Sequence, residues 1–154
     1  MPAPLMHLLV SIRQMMQAAD IDHTLLVVAK IDSAWLADYA NQRIVNSFLF
    51  NYIKIQDKIG SKLFRLLLQH WREDQDGLTM LDMLNRLEKL HIIQDVETWD
   101  KLREIRNDIT HEYPQDIEVR IGNIRMALSG YEQLKAIISN IEQALQLQAS
   151  NHDE

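Results

Sequence analysis

Apolar residues recur at three- and four-residue steps along most of this chain, the spacing that lines one face of an α-helix. Leu5, Leu8, Leu9, Ile12, Met15 and Met16 open the pattern, and Leu25 to Ala29 resume it. The intervening Asp20-Ile-Asp22 predicts one or two short helices broken there, and Leu25-Leu-Val-Val-Ala29 taken alone suits a buried strand equally well. From Ser33 the stripe lengthens through Trp35, Tyr39, Val45, Phe48, Tyr52, Ile55, Ile59, Leu63 and Leu66. It predicts a long amphipathic helix with a break near Asn41, capped by Asp32 or Ser33. That helix ends before the polar run Arg72-Glu-Asp-Gln-Asp-Gly77, which reads as a loop with a glycine breaker.

Thr79 to Leu90 predicts a shorter helix with Leu81, Leu84, Leu87 and Leu90 on its apolar side. The next helix begins near Asp95 and aligns Trp99, Leu102, Ile105 and Ile109. Pro114 disfavours helical backbone at Tyr113, so this helix should stop about there, and Pro114 is suited to begin the last one. In that last helix Ile117, Ile121, Ile124, Leu128, Tyr131, Leu134, Ile138, Ile141 and Leu145 form a stripe that demands a partner along its whole length. The polar tail from Gln146 should fray.

These elements predict an all-α protein, an up-and-down helical bundle of four main helices plus short N-terminal helices. Residues 1–30 read as an N-terminal helical extension, 31–147 as the bundle and 148–154 as a frayed tail. A chain of 154 residues, 47% hydrophobic, with 4 glycines and 3 prolines, fits one domain with a real core and favours helices over hairpins. The absence of cysteine excludes disulfides, thiolate metal sites and thiol nucleophiles. Met1-Pro-Ala-Pro-Leu5 lacks a basic region followed by an apolar core, and no stretch is apolar enough to span a bilayer, so the expectation is a cytoplasmic protein away from membranes. A formal net charge of −6 lacks the basic face of a non-specific nucleic-acid binder. Any action on RNA would need a local site or a partner.

The run Arg106-Asn-Asp-Ile-Thr-His111-Glu-Tyr113 concentrates the candidate chemistry at a helix end. Asn107 and His111 are four apart and share a face, whereas Arg106 and His111, five apart, diverge by about 140°. Either the helix end bends, or two copies meet so that one chain's Arg106 works beside the other's His111; the second reading predicts a homodimer with a composite site. Histidine can give or take a proton near neutral pH, and arginine offers permanently charged donors that fit phosphate oxygens. Such a pair suits RNA cleavage through the RNA's own 2′-hydroxyl, with His111 handling protons and Arg106 stabilising the charged phosphorane. Arg103, four residues before Asn107, either extends a phosphate site or pairs with a nearby acid. The plainer alternative is that Arg106 and His111 are solvated residues near a helix end, and Asp108 and Glu112 beside them would repel phosphate.

Other constellations are weaker. Glu104, Asp108 and His111 share a helix face and Glu88-Lys-Leu-His91 repeats an acid-to-histidine spacing, but residues 30 to 72 supply no glutamate to complete a di-metal bundle site. No metal or other cofactor is expected. His7, His23, His70 and His152 read as surface or capping residues. Met15, Met16, Met80 and Met83 read as core filler. Tyr52 and Tyr131 read as core residues whose hydroxyls find partners.

Three stretches carry a resemblance: Phe50-Asn-Tyr-Ile-Lys-Ile-Gln-Asp-Lys-Ile-Gly60-Ser-Lys-Leu-Phe64; Leu84-Asn-Arg-Leu-Glu-Lys-Leu-His-Ile-Ile93 with Trp99-Asp-Lys-Leu-Arg103; and Arg106 to Tyr113, which fits R-x-x-x-x-H-x-Y. Over roughly residues 35 to 145 the chain resembles the HEPN superfamily, and among its members the HepT-like toxins paired with minimal nucleotidyltransferases. The resemblance implies a dimeric HEPN-like bundle acting as a metal-independent endoribonuclease on tRNA or mRNA, with Arg106 and His111 catalytic and Asn107 supporting. It also implies a type VII-like toxin–antitoxin pair, in which a cognate nucleotidyltransferase antitoxin silences the toxin by AMPylation of Tyr113. Some relatives of this kind are inert partners that present substrate to the nucleotidyltransferase, and a purely structural dimer joined through the last helix is a third possibility. The first 30 residues have no counterpart in the resemblance.

Overall fold

The computed structural model describes residues 1–74, 77–111 and 116–152, with side chains of the last helix to Gln146. Among the described residues every regular element is helical: α1 (Ala3–Val28), α2 (Ser33–Ala37), α3 (Tyr39–Lys58), a π turn (Ile59–Leu63), α4 (Phe64–His70), α5 (Met80–Lys89), α6 (Val96–Thr110) and α7 (Ile117–His152). The all-helical expectation is met. No helix among the described residues is long and apolar enough to cross a membrane.

The N-terminal reading needs correction. α1 is one helix of 26 residues that runs straight through Asp20-Ile-Asp22. Its buried stripe, Leu5, Leu9, Ile12, Met16 and Ala19, resumes at Leu26 on the same face. Asp20 does not stop the helix because α7 provides for it: Tyr131 Oη donates to Asp20 Oδ1 at 2.6 Å and Lys135 Nζ lies 2.9 Å away. His23 fills the gap in the stripe. Its Nε2 is 3.2 Å from the Leu128 carbonyl oxygen and its ring packs against Phe48 and Tyr131, so it is an interhelical residue and not a surface or capping one.

Burial alone would raise the Asp20 carboxyl, but hydrogen bonds from Tyr131 and Lys135 outweigh it and hold the pKa below its ordinary value of 3.8. A depressed native pKa contributes stability that is present above the ordinary aspartate range and lost as pH falls through the native value. Asp20→Asn is therefore expected to cost about 1 kcal/mol at pH ~7, after allowing for the screening of a half-exposed group, with the difference from wild type vanishing in acid. Urea unfolding of both proteins at neutral and acidic pH measures it; a gap that stays constant into acid would remove the carboxylate from the explanation.

Asp32 caps α2 by accepting from the Trp35 backbone N–H. The break expected near Asn41 falls at Asp38, which caps α3 by accepting from Ala40 N–H. The amides of Asn41 and Gln42 then donate to the Trp35 and Leu36 carbonyls and close the corner.

The long apolar stripe of residues 45–68 continues across the π turn, where the Phe64 N–H reaches back five residues to the Ile59 carbonyl. Ile55, Ile59, Leu63 and Leu67 are all fully buried and each step between them is four residues. In a plain α-helix three such steps drift by about 120°, and one wide turn takes up the drift. The π turn also holds Gly60 against Trp99: a Cβ at residue 60 would lie 2.8 Å from Trp99 Cζ2. Phe64 braces that indole edge-on with ring centroids 4.8 Å apart, so it has no room to yield. Gly60→Ala is expected to lower stability by up to about 2 kcal/mol, overpacking outweighing the helix propensity alanine gains. A urea midpoint at or above wild type would show that the indole moves aside.

Thr79 and Asp82 form a reciprocal capping box at the start of α5. Its buried face is Met83, Leu84 and Leu87, whereas Leu81 and Leu90 are exposed, contrary to the leucine stripe read from sequence. Leu81 lies about 110° round the helix from the centre of that face, so it cannot join it. Met16 and Met83 are core, Met15 packs at its edge, and Met80 is exposed.

Asp95 caps α6 through Thr98 N–H, and Trp99, Leu102 and Ile105 are buried as expected. α7 opens where Asp116 accepts from Glu118 N–H, and it stays helical to His152, past Gln146. Pro114, expected to begin this helix, lies outside the described residues.

The four longest helical runs make a square. α1 and α6 each pack against α3 and α7, α3 and α7 touch across the middle, and α1 and α6 occupy opposite corners. Two buried tyrosines tie the corners: Tyr52 Oη donates to the Leu102 carbonyl at 3.1 Å, and Tyr131 Oη shares its one proton between Asp20 and the Met16 carbonyl, 3.0 Å away. Both hydroxyls thus find partners, as the sequence reading required.

Candidate functional site

The candidate residues lie along the last turns of α6, where it crosses α3. Arg106 is firmly held. Its Nε and Nη2 donate to Asp57 Oδ1 and Oδ2 at 2.8 and 2.9 Å, a bidentate fork, while Nη1 donates to Thr110 Oγ1 at 3.0 Å. The Asp57 hydrogen bond raises the guanidinium pKa further, so Arg106 stays a cation throughout. Asp57 is the partner of Arg106 at the candidate site that the sequence reading did not name. The signal was present: it is the only acidic residue between Tyr39 and Arg72, on a helix otherwise decorated with lysine and arginine.

Arg103, Arg106 and Asn107 open together on a recess of about 400 Å³ that Asp57, Ser61 and Trp99 also line. Arg103 additionally pairs with Asp100 at 3.2 Å, the ion-pair alternative of the two considered for it. Asn107 therefore accompanies the arginines and not His111, because His111 leaves the helix before the shared face is completed.

His111 is the residue that ends α6. Its backbone is extended at φ −67°, ψ 144°, and its N–H donates to the Asn107 carbonyl. Its exposed side chain lines a second recess, of about 730 Å³, between α3 and α7. Leu49, Ile53, Ile109 and Ile124 also line it, together with Asn46, Phe50, Asp108, Thr110, Arg120 and Asn123. Phe50 is 60% exposed, unusual for an aromatic ring, with Lys54 Nζ 5.5 Å from the ring centroid.

Arg106 and His111 do not line the same recess. The α3 markers of their two recesses, Asp57 and Phe50, stand seven residues, or about 10 Å, apart along that helix. The chain does turn out of the helix at His111, and that turn carries the imidazole to the recess between α3 and α7. Tyr113 lies outside the described residues.

Among the described residues no three His, Asp or Glu side chains gather at metal-ligand distance. Glu104, Asp108 and His111 do not converge, and the Glu88 carboxylate instead accepts from Val96 N–H at 3.0 Å, steadying the start of α6.

No family model, curated protein or solved structure matches the chain.

Proposed function

We propose that this chain is a cytoplasmic HEPN-type endoribonuclease, the toxin of a two-component pair, working as a homodimer in which one copy's Arg106 serves beside the other's His111. The observation that carries the reading is the recess at the end of α6, where an exposed histidine stands beside an exposed aromatic ring and two carboxamides. An unpaired RNA base is recognised by stacking on such a ring and by hydrogen bonds to its edge, for which Phe50, Asn46 and Asn123 have the right groups. His111 is then available to move protons at the adjacent ribose and phosphate. Arg106, already oriented by Asp57 and Thr110, is the fixed cation that this reading assigns to the partner copy's His111. The placement of the two groups in different recesses of one chain supports a composite site completed by a second copy.

In this reading a partner nucleotidyltransferase silences the enzyme by transferring AMP from ATP to the hydroxyl of Tyr113, with loss of its proton and release of pyrophosphate. The added bulk and negative charge, two residues beyond His111 in sequence, would exclude RNA. The test is the intact mass of the protein co-expressed with its neighbouring nucleotidyltransferase gene, with peptide mapping around Tyr113. One or more AMP units on Tyr113 are expected. An unmodified Tyr113 beside a demonstrably active transferase would overturn this regulation.

One observation favours a second reading, a non-catalytic partner subunit for the nucleotidyltransferase. The bidentate Asp57 fork occupies the face of Arg106 that a phosphate would use, in a chain of net charge −6. That reading expects a stable complex with the transferase and no RNA cleavage by the isolated protein.

A further inference from the structure

α1 carries only three formally charged residues in 26, Arg13, Asp20 and Asp22, although a quarter of the whole chain is charged. Two of the three are used inside the fold. Arg13 forms a bidentate pair with Glu142 of α7, and Asp20 binds Tyr131 and Lys135 of the same helix. The side of α1 turned away from the bundle is left with Met6, Val10, Ile21, Leu25 and Val28 exposed at 48, 51, 67, 51 and 82%, linked by the neutral Gln14 and Gln17. These positions advance by four, four, three, four, four and three residues, one stripe about 33 Å long. A helix that faced only water would carry charge there.

We infer that this face is a contact between two copies of the chain, packed with their α1 helices antiparallel about Gln17 and Ala18. The stripe is close to a palindrome, with apolar ends and a polar centre. Reversed on itself, it sets Met6 and Val10 of one copy against Val28 and Leu25 of the other, Gln17 against Gln17 at the crossing, and Gln14 against Ile21. Such self-complementarity is what a two-fold axis requires. Ala18, exposed beside Gln17, lets the backbones approach there. Electrostatics point the same way: two chains of net charge −6 repel, and a face stripped of charge is where they meet at least cost. A nucleic acid or an anionic membrane would instead call for lysine and arginine along the stripe; the one cation at its edge, Arg13, is already paired with Glu142. Since α1 and α6 stand at opposite corners of the bundle, this contact lies away from Arg106 and His111 and is separate from the pairing that the nuclease reading needs.

The chain contains no cysteine, so single cysteines report contacts cleanly. Gln17→Cys is expected to form a covalent dimer with a short thiol-to-thiol cross-linker at least about tenfold faster than Leu81→Cys, an exposed apolar position on α5, because a formed pair raises the local thiol concentration. Adding Ile21→Lys and Leu25→Lys to Gln17→Cys should abolish the difference, with circular dichroism and the melting temperature confirming that these exposed substitutions leave the fold intact. Equal rates for Gln17→Cys and Leu81→Cys, or cross-linking indifferent to the lysines, would overturn the proposal. A dimer formed only through α6 gives that negative result while RNA cleavage persists, so the two pairings are told apart.

Discussion

His111→Ala is expected to slow RNA cleavage about a hundredfold or more while leaving the fold and melting temperature unchanged. The selectivity follows from the position of the residue. Its structural contribution is a backbone N–H to the Asn107 carbonyl, which alanine keeps, and its side chain is exposed at the rim of the recess. The imidazole can therefore be removed without leaving a cavity or an unpaired buried group. Arg106→Ala is a poorer first experiment, since it strands the Asp57 carboxylate and confounds chemistry with stability. Cleavage of a defined RNA in chelator, with thermal melts of both proteins, measures the effect. If wild type cleaves and His111→Ala cleaves equally fast, His111 is not the proton carrier; if neither cleaves, the partner-subunit reading takes over.

Trp99→Ala is expected to cost about 3–5 kcal/mol in urea unfolding, enough to endanger a domain of this size. Trp99 is 3% exposed, meets Phe64 edge-on, and covers Gly60 so closely that no side chain fits beneath it. Once the indole is gone, glycine has nothing to fill the space, so little of the loss can be recovered by collapse. Trp99→Phe should lose less, because a ring still reaches Phe64. A loss under about 1 kcal/mol for the alanine variant would mean that α6 is held chiefly by Leu102 and Ile105, against the cavity argument. Because α6 carries Arg106 and His111, this anchor also sets where the candidate site sits on α3.

Much of the architecture is readable from local rules. Asp32, Thr79 and Asp95 each announce a helix start and each accepts the backbone hydrogen bond expected of it. The stripes of α6 and α7 are buried nearly as read. What escaped depends on distant neighbours. Asp20-Ile-Asp22 looks like a break until Tyr131, 111 residues later, supplies a hydroxyl for Asp20. His23 looks like surface until Phe48 and Tyr131 close around it. Leu81 fails as a core residue because the orientation of α5 follows Met83, which a leucine-only stripe ignores. At the candidate site the divergence of Arg106 and His111 was legible from a five-residue spacing, and Asp57 stood out as a lone acid, but its pairing with Arg106, 49 residues downstream, was not legible. Spacing along one helix cannot show which carboxylate another helix brings to it.

The wide turn at Ile59–Leu63 has one more consequence. Counted along the chain, the segment holds a residue that a regular helix would not need: shortened by one at the exposed Ser61, the stripe would read three, four, three, four without interruption and a plain α-helix would carry it. The extra residue is therefore not required by the helix that contains it. Its use is to the neighbour, since the loosened turn is where Gly60 meets Trp99. The length of this segment is matched to the helix lying across it, and a shorter version would keep its own core while losing the seat for α6.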